Sequence, residues 1–333
     1  MRALTRQLQA AAAVAALAVL CAACSTSSAS PASGSSGSAS GNSASPGSAG
    51  HVAAADFPVT VTTAGGTVHI PARPDAIVSL SPTATEMLYA IGAGGQVKAV
   101  DSDSDYPSQA PMTKLSAYQP NVEAIAAYKP DLVIISNDLD GITAKLTALS
   151  IPVLDLPAAA TLSDVYAEFT ELGAATGHIA AARQEDSTLG ADIRKILESE
   201  PKHSKPLTYY YEIGTDPYYS VTSSTFIGSL LSLLGMKSIA DGAKGAAAAG
   251  GYPSLSAEFI LKANPDYIIL ADTGRTGGGQ TAATVAGRPG WSVLAAVRAR
   301  HIILLNADIA SRWGPRVAQL LQTVAAGLRT GSS

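Results

Sequence analysis

The side chains able to do chemistry in this chain favour gripping a ligand over transforming one. Five histidines (His51, His69, His178, His203 and His301) are scattered, with no i,i+4 pair and no neighbouring cysteine, which argues against a dedicated zinc or bare-metal site. The glycine-rich stretches at 245–251 and 274–279 do not follow a strand as Gly-x-Gly-x-x-Gly, and neither carries the Gly-Lys-Ser/Thr of a phosphate loop. Gly-x-Ser-x-Gly and His-Glu-x-x-His are missing as well, so no residue is nominated as catalytic. Tyrosines stand out instead, and a tyrosine offers a broad apolar ring with a polar tip, suited to contact. Tyr252 sits beside Gly250, Gly251 and Pro253, a loop context that leans towards contact. Tyr218 and Tyr219 follow Asp216-Pro217, either as a turn with one ring buried or as ligand-facing rings. The run Tyr209-Tyr210-Tyr211 reads as alternation across a strand. Arg312 stands four residues after Asp308, either to bind an anionic ligand or to pair with that aspartate. Asp138 and Asp140 near Gly141 look like a metal loop, although acidic residues after strands commonly cap helices.

These residues sit in a chain whose first part addresses it outward. Arg2 and Arg6 precede a largely apolar run at 8–20 and then Ala22-Ala23-Cys24. The run is short of the ~20 residues of a membrane span and reads as a cleaved export signal covering residues 1–23. Cys24 is similar to the lipidated cysteine of a bacterial lipobox, with Cys21 where that pattern prefers leucine; ordinary secretion with a free cysteine is the alternative. Residues 25–50 are almost entirely Ser, Ala, Gly, Pro and Asn, a composition that predicts a flexible tether, so 24–55 is expected to link anchor to body. Charged residues are 14% of the chain and the net charge is −4, so no basic field invites nucleic acid.

The body is expected to be α/β. Ala76–Leu80, Val97–Val100, Asp131–Ile135 and Ile151–Leu154 read as buried strands, with helices at Thr85–Ile91, Val122–Tyr128 and Ile142–Leu149 between them. A Gly-Gly turn predicts a small hairpin from Val59–Thr63 and Thr67–Ile70. Ser81 with Pro82, or Thr83 with Glu86, can start the first helix. The second half repeats the order, with strands Thr208–Ile213, Tyr267–Leu270 and His301–Leu305 and helices Phe226–Leu234, Ala257–Ala263 and Trp291–Val297. In both halves a glutamate near a helix start, Glu123 and Glu258, stands seven residues before a Pro-Asp pair that launches a strand. That recurrence predicts two lobes on one plan, 56–177 and 201–330, bridged over 178–200 by one long helix.

Ile77–Glu86, Ser104-Asp105-Tyr106-Pro107, Glu123 with Lys129-Pro130-Asp131, Glu258 with Asn264-Pro265-Asp266, Arg288-Pro289-Gly290-Trp291 and Trp313-Gly314-Pro315-Arg316 recur in order. In these markers the chain resembles the iron-complex/cobalamin family of ABC-transporter substrate-binding lipoproteins, and among them the cobalamin receptors most. The resemblance implies two parallel-sheet α/β lobes joined by a rigid helix, with ligand in the cleft between. It implies a monomer that is no enzyme and holds no resident cofactor, takes a metal chelate outside the cytoplasm, and delivers it to a permease with its ATPase. The lipid anchor would be its only membrane contact. Glu123 and Glu258 match the glutamates that dock on permease arginines; the alternative is that each favours the positive end of its own helix. Tyr118 and Tyr252 fall where cobalamin receptors carry cleft tryptophans, and Tyr219, with Tyr218 beside it, where they carry a phenylalanine. Asp308 matches an acidic cleft residue that accepts from corrin amides, and Arg312 lies in the same segment. Asp103 replaces a cleft tyrosine and Ser136 a tryptophan. A corrinoid is therefore the first expectation for the ligand, a ferric siderophore the second, and haem the third, because no histidine falls at a matching cleft position.

Overall fold

A computed structural model describes residues 56–274 and 278–330. The export signal, Cys24, the tether and part of the 274–279 stretch lie outside the described residues. Val59–Thr63 (β1) and Gly66–Ile70 (β2) pair antiparallel across the expected glycine turn, where Gly66 takes φ 138°. Ile77–Leu80 (β3) is buried at every residue and runs into Pro82–Ala90 (α1). Of the two possible helix starts the chain uses Ser81, whose hydroxyl accepts from the Ala84 N–H at 3.2 Å with Pro82 in the first turn. Glu86 is thereby released from capping. Then follow Val97–Asp101 (β4), Met112–Leu115 (β5), Val122–Ala126 (α2), Leu132–Ile135 (β6), Ile142–Thr147 (α3), Val153–Asp155 (β7) and Leu162–Thr176 (α4). The five strands form a parallel sheet in the order β5-β4-β3-β6-β7.

Ile179–Ser199 (α5) is the expected bridging element, 21 residues without a break, buried along Ala182, Leu189 and Ile193. Beyond it lie Leu207–Glu212 (β8), Gly214–Thr215 (β9), Tyr218–Tyr219 (β10), Phe226–Leu233 (α6), Met236–Ser238 (β11), Ser254–Leu255 (β12), Ala257–Ala263 (α7) and Tyr267–Leu270 (β13). Ala282–Ala286 (α8), Ala295–Arg298 (α9), Ile302–Leu304 (β14), Ala307–Ser311 (α10) and Val317–Thr330 (α11) complete the chain. A second parallel sheet has the order β11-β8-β13-β14, flanked by a small antiparallel sheet β12-β10-β9. The helix expected over Trp291–Val297 is split: Trp291–Val293 is a 3-10 turn and Leu294 is extended (φ −59°, ψ 137°). The side chain of Asn264 accepts from the Ala295 N–H at 2.8 Å, capping a fresh helix start and holding the break open.

The two lobes repeat one device. Asn121 and Ser256 cap α2 and α7 through N–H groups three residues on, which leaves Glu123 and Glu258 in the first turns. Lys129 and Asn264 both take positive φ (51° and 44°) directly before proline. Asp131 then accepts from the N–H groups of Asp75 and Ala76 ahead of β3, and Asp266 from the N–H and hydroxyl of Thr208 in β8. Each Pro-Asp thus ties the start of its strand to the start of its neighbour.

Apolar packing divides accordingly. One cluster carries the inner faces of both sheets with α4, α5 and α11, while two smaller clusters fill the outer face of each lobe. The tyrosine run alternates across β8, with Tyr209 and Tyr211 in the large cluster and Tyr210 in the outer one against Trp291. Among the described residues no helix is long and apolar enough to cross a membrane.

Candidate ligand-binding cleft

In open parallel sheets, ligands settle beyond the carboxyl ends of the strands, where neighbouring connections leave in opposite directions. Both sheets have such a point, between β3 and β6 in the first and between β8 and β13 in the second. The two points meet on one cavity. Leu80, Asp101 and Ile135 reach it from the ends of β3, β4 and β6, and Tyr211 and Ala271 reach it from β8 and the end of β13. It holds about 1450 Å³ of atom-free space, partly open to solvent, and its walls are mainly apolar.

Four of the expected contact residues line this cavity, Asp103, Tyr118, Tyr252 and Arg312, and so does Ser136. Asp308 is brought to its edge through a 3.4 Å ion pair with Arg312 but is not part of the wall. Tyr218 and Tyr219 do not reach it. Tyr218 lies against Trp291 with ring centroids 5.4 Å apart, under the Arg288 guanidinium, because β10 pairs with β12 on the outer side of the lobe. Tyr219 is half-buried in the same two-residue strand. Glu123 and Glu258 are exposed and away from the cleft. Glu258 is held below the usual carboxylate range by hydrogen bonds from its own backbone N–H and the Ser256 hydroxyl. The Asp138 loop is a capping loop, its Oδ1 accepting from the Thr143 N–H at 2.8 Å. Among the described residues no cluster of three metal-ligating side chains occurs.

Reading by residue type overlooked Asp101, Tyr211, Phe226 and Trp313, all of which line the cavity. The available signal was position: Asp101 and Tyr211 stand at or near the carboxyl ends of apolar strands. Burial lifts the Asp101 carboxyl to about 6, opposed by hydrogen bonds from Ser104 and Asp103. Burial likewise lifts the Tyr211 hydroxyl. Trp313 donates its indole N–H to both oxygens of Glu168 at 3.1 Å. Burial pushes Glu168 up to about 9, so it is neutral at physiological pH.

Arg312 is committed to the protein itself. Its Nη1 donates to Glu86 Oε1 at 2.9 Å, and its Nη2 to the Asp103 carbonyl and to Asp105 at 2.8 and 2.9 Å. Arg316 donates from Nε to Glu86 Oε2 at 2.7 Å and from Nη2 to Oε1, and its guanidinium lies 4.1 Å from the Tyr106 ring centroid. Burial works against the Arg312 charge, but the hydrogen bonds to Glu86 and Asp105 outweigh it and hold the group above its ordinary range. Glu86, the Asp105-Tyr106 pair and Arg316 belong to three separate sequence markers, and they converge on one lock between the lobes, buried at Glu86 and the two arginines and exposed at Asp105 and Tyr106. A fourth marker is also internal: Arg288 makes a two-pronged pair with buried Glu212 and lies over Trp291. Much of what is most recognisable in the sequence therefore fixes the frame, while Leu80, Pro82 and Trp313 of the same markers reach the cleft wall.

Two parallel-sheet lobes joined by one long helix, with a cleft fed by both switch points, define a solute-binding receptor of the transport type. The chain belongs to the periplasmic binding protein family, whose profile matches residues 77–309. It is 31% identical over 279 residues to an uncharacterized ABC transporter substrate-binding lipoprotein, YvrC, of Bacillus subtilis, covering 81% of this chain and 85% of the relative. It is 29% identical over 265 residues to the vitamin B12-binding protein of Pectobacterium atrosepticum, covering 77% and 89%. Among solved structures, the periplasmic vitamin B12 binding protein BtuF of Vibrio cholerae superposes with a TM-score of 0.63 at 26% identity, covering 78% and 98%. The family consists of binding proteins for transport, not enzymes, and works outside the cytoplasm.

Proposed function

We propose that this protein is the receptor of an ABC importer that captures a corrinoid and hands it to a membrane permease with its ATPase. The observation that carries this reading is the cleft itself, an apolar cavity with tyrosines contributed by both lobes, Tyr118 on one side and Tyr211 and Tyr252 on the other. Broad rings with few polar groups suit a flat macrocycle, and similarity to vitamin B12-binding proteins supports the same choice. The body divides into lobes 56–177 and 201–330 about the helix of 178–200. A monomer held by acylated Cys24 presents Glu123 and Glu258, one on each lobe, to basic sockets on the permease.

The test is a titration of the purified full-length chain in detergent with cyanocobalamin, a ferric hydroxamate and haemin, followed by intrinsic fluorescence and calorimetry. Saturable one-to-one binding of cyanocobalamin is expected. Saturable binding of either of the others in its place moves the ligand to that class.

A further inference from the structure

Among the described residues, only two buried side-chain polar atoms without a hydrogen-bond partner belong to the cleft wall: Asp101 Oδ2 and Tyr211 Oη. They come one from each lobe, at the end of β4 and in β8, and their residues are 0% and 1% exposed. Leaving a buried polar group unmatched is costly, and more so for a charged one, so two such atoms in one cavity call for an explanation. The other oxygen of Asp101 is already occupied, accepting from the Asp103 N–H at 3.2 Å, and Ser104 also favours the charged carboxyl.

The charges around the cleft point the same way. Asp101 and Asp103 both line it, and Arg312 is the one cation on its wall among the described residues. Arg312 is matched by Glu86, Asp105 and Asp308. Including Arg316, that network holds two positive and three negative side chains. No uncommitted cation is left on this wall to receive an anion, and a carboxylate entering it meets Asp101 and Asp103 unscreened.

We infer that the cleft takes a chelate of neutral or positive charge, one that gives an N–H or O–H donor to Asp101 Oδ2 and an acceptor to the Tyr211 hydroxyl, and that it rejects chelates carrying free carboxylates. The inference rests on the receptor reading above and goes beyond it, because its charge and donor pattern applies to corrinoids and other chelates alike. Peripheral carboxamides of a corrin supply both donor and acceptor. A ferric trihydroxamate with a free ammonium group supplies the donor and the positive charge. Haemin, with two propionates, does not fit. Above pH 6 the Asp101 carboxyl is a charged acceptor, since burial lifts it only to about 6.

The full-length chain, Asp101→Asn and Tyr211→Phe are compared at pH 7.5 for binding of cyanocobalamin, the ammonium-bearing trihydroxamate and haemin, and for thermal melting without ligand. Asp101→Asn is expected to weaken the bound probe about 10- to 100-fold and Tyr211→Phe about 2- to 10-fold, the ranges for hydrogen bonds to charged and neutral groups. Neither variant should lower the ligand-free melting temperature, because Tyr211→Phe removes an unmatched buried hydroxyl and Asp101→Asn replaces a buried carboxylate with a neutral amide whose oxygen still accepts from the Asp103 N–H. Wild-type affinity in both variants, or haemin binding as tightly as the other probes, overturns the inference. Lower melting temperatures in both variants also overturn it, by assigning the two atoms to the fold. If cyanocobalamin fails while the trihydroxamate binds and Asp101→Asn weakens it, the corrinoid reading falls and this inference stands. If no probe binds, the inference falls, because both probes of the required charge and donor pattern have failed.

Discussion

Replacing Glu86 with alanine tests whether the buried ion lock, beyond apolar contact, holds the two lobes together. The Glu86 side chain is 0% exposed and its two arginine partners are 8% and 11% exposed. Arg312 keeps Asp105 and Asp308 after the substitution. Arg316 loses its only carboxylate among the described residues and keeps the Tyr106 ring. Breaking a buried pair by removing one partner costs roughly 3–5 kcal/mol, and the partners left to Arg312 place this case at the lower end, about 3 kcal/mol. At roughly 2–4 °C per kcal/mol for a protein of this size, the melting temperature followed by circular dichroism should fall by about 6–12 °C. Glu86→Gln keeps the shape and one acceptor, so it should fall less. In a double-mutant cycle with Arg316→Ala, the pair should be less damaging than the sum of the singles by about 1–3 kcal/mol. A loss under about 1 kcal/mol for Glu86→Ala, or strict additivity in the cycle, refutes the lock.

Three further outcomes are expected. Glu168 has a folded-state pKa of about 9 against 4.5 unexposed to the fold, so the unfolded chain gives up its proton first and stability declines as pH rises from about 4.5 to about 9; Glu168→Gln should flatten that decline in denaturant titrations and gain most at the alkaline end. Tyr252→Ala should weaken ligand by roughly 1.5–3 kcal/mol, whereas Tyr218→Ala should lower stability and leave affinity alone, since its ring packs on Trp291 outside the cleft; calorimetry and melting curves separate the two. Glu123→Ala with Glu258→Ala should abolish uptake into cells or proteoliposomes at unchanged ligand affinity, and a loss of affinity counts against docking.

Strand positions were the most legible part of the chain. Runs such as Ile77–Leu80 and Tyr267–Leu270 are apolar and fully buried, and such runs declare a parallel sheet without help from tertiary context. The internal repeat was legible too, because the caps Asn121 and Ser256 act through backbone groups three residues on and the Pro-Asp pairs recur at one spacing, although the strand starts that Asp131 and Asp266 hold lie more than 50 residues back. What stayed hidden depends on contacts far along the chain. Met112–Leu115 is a strand whose pattern is set by its neighbour β4, and β9, β10 and β12 are two-residue strands that exist only as a set. Within the cleft, sequence could place Tyr118, Tyr252 and Asp103 but could not tell which ring of Tyr218-Tyr219 was taken by Trp291, a residue more than 70 positions on. Arg312 shows the same limit. Asp308 is its visible partner at i−4, yet its shortest carboxylate contacts are Glu86 and Asp105, both more than 200 residues away.

Helix α5 has a kinetic consequence. Its 21 residues form a rod of about 31 Å that packs against α4 of one lobe and against α11 of the other. Swinging the lobes would mean bending that rod while sliding both neighbours, so little of the population is in a shut form from which a ligand could select. Capture is then paced by diffusion into a standing opening, and the observed association rate should climb linearly with ligand concentration without reaching a plateau. Discharge has no hinge to work through either. On the receptor reading proposed above, a permease would have to force the jaws apart, and residence time on the free receptor would then say little about how quickly cargo leaves once the receptor is docked.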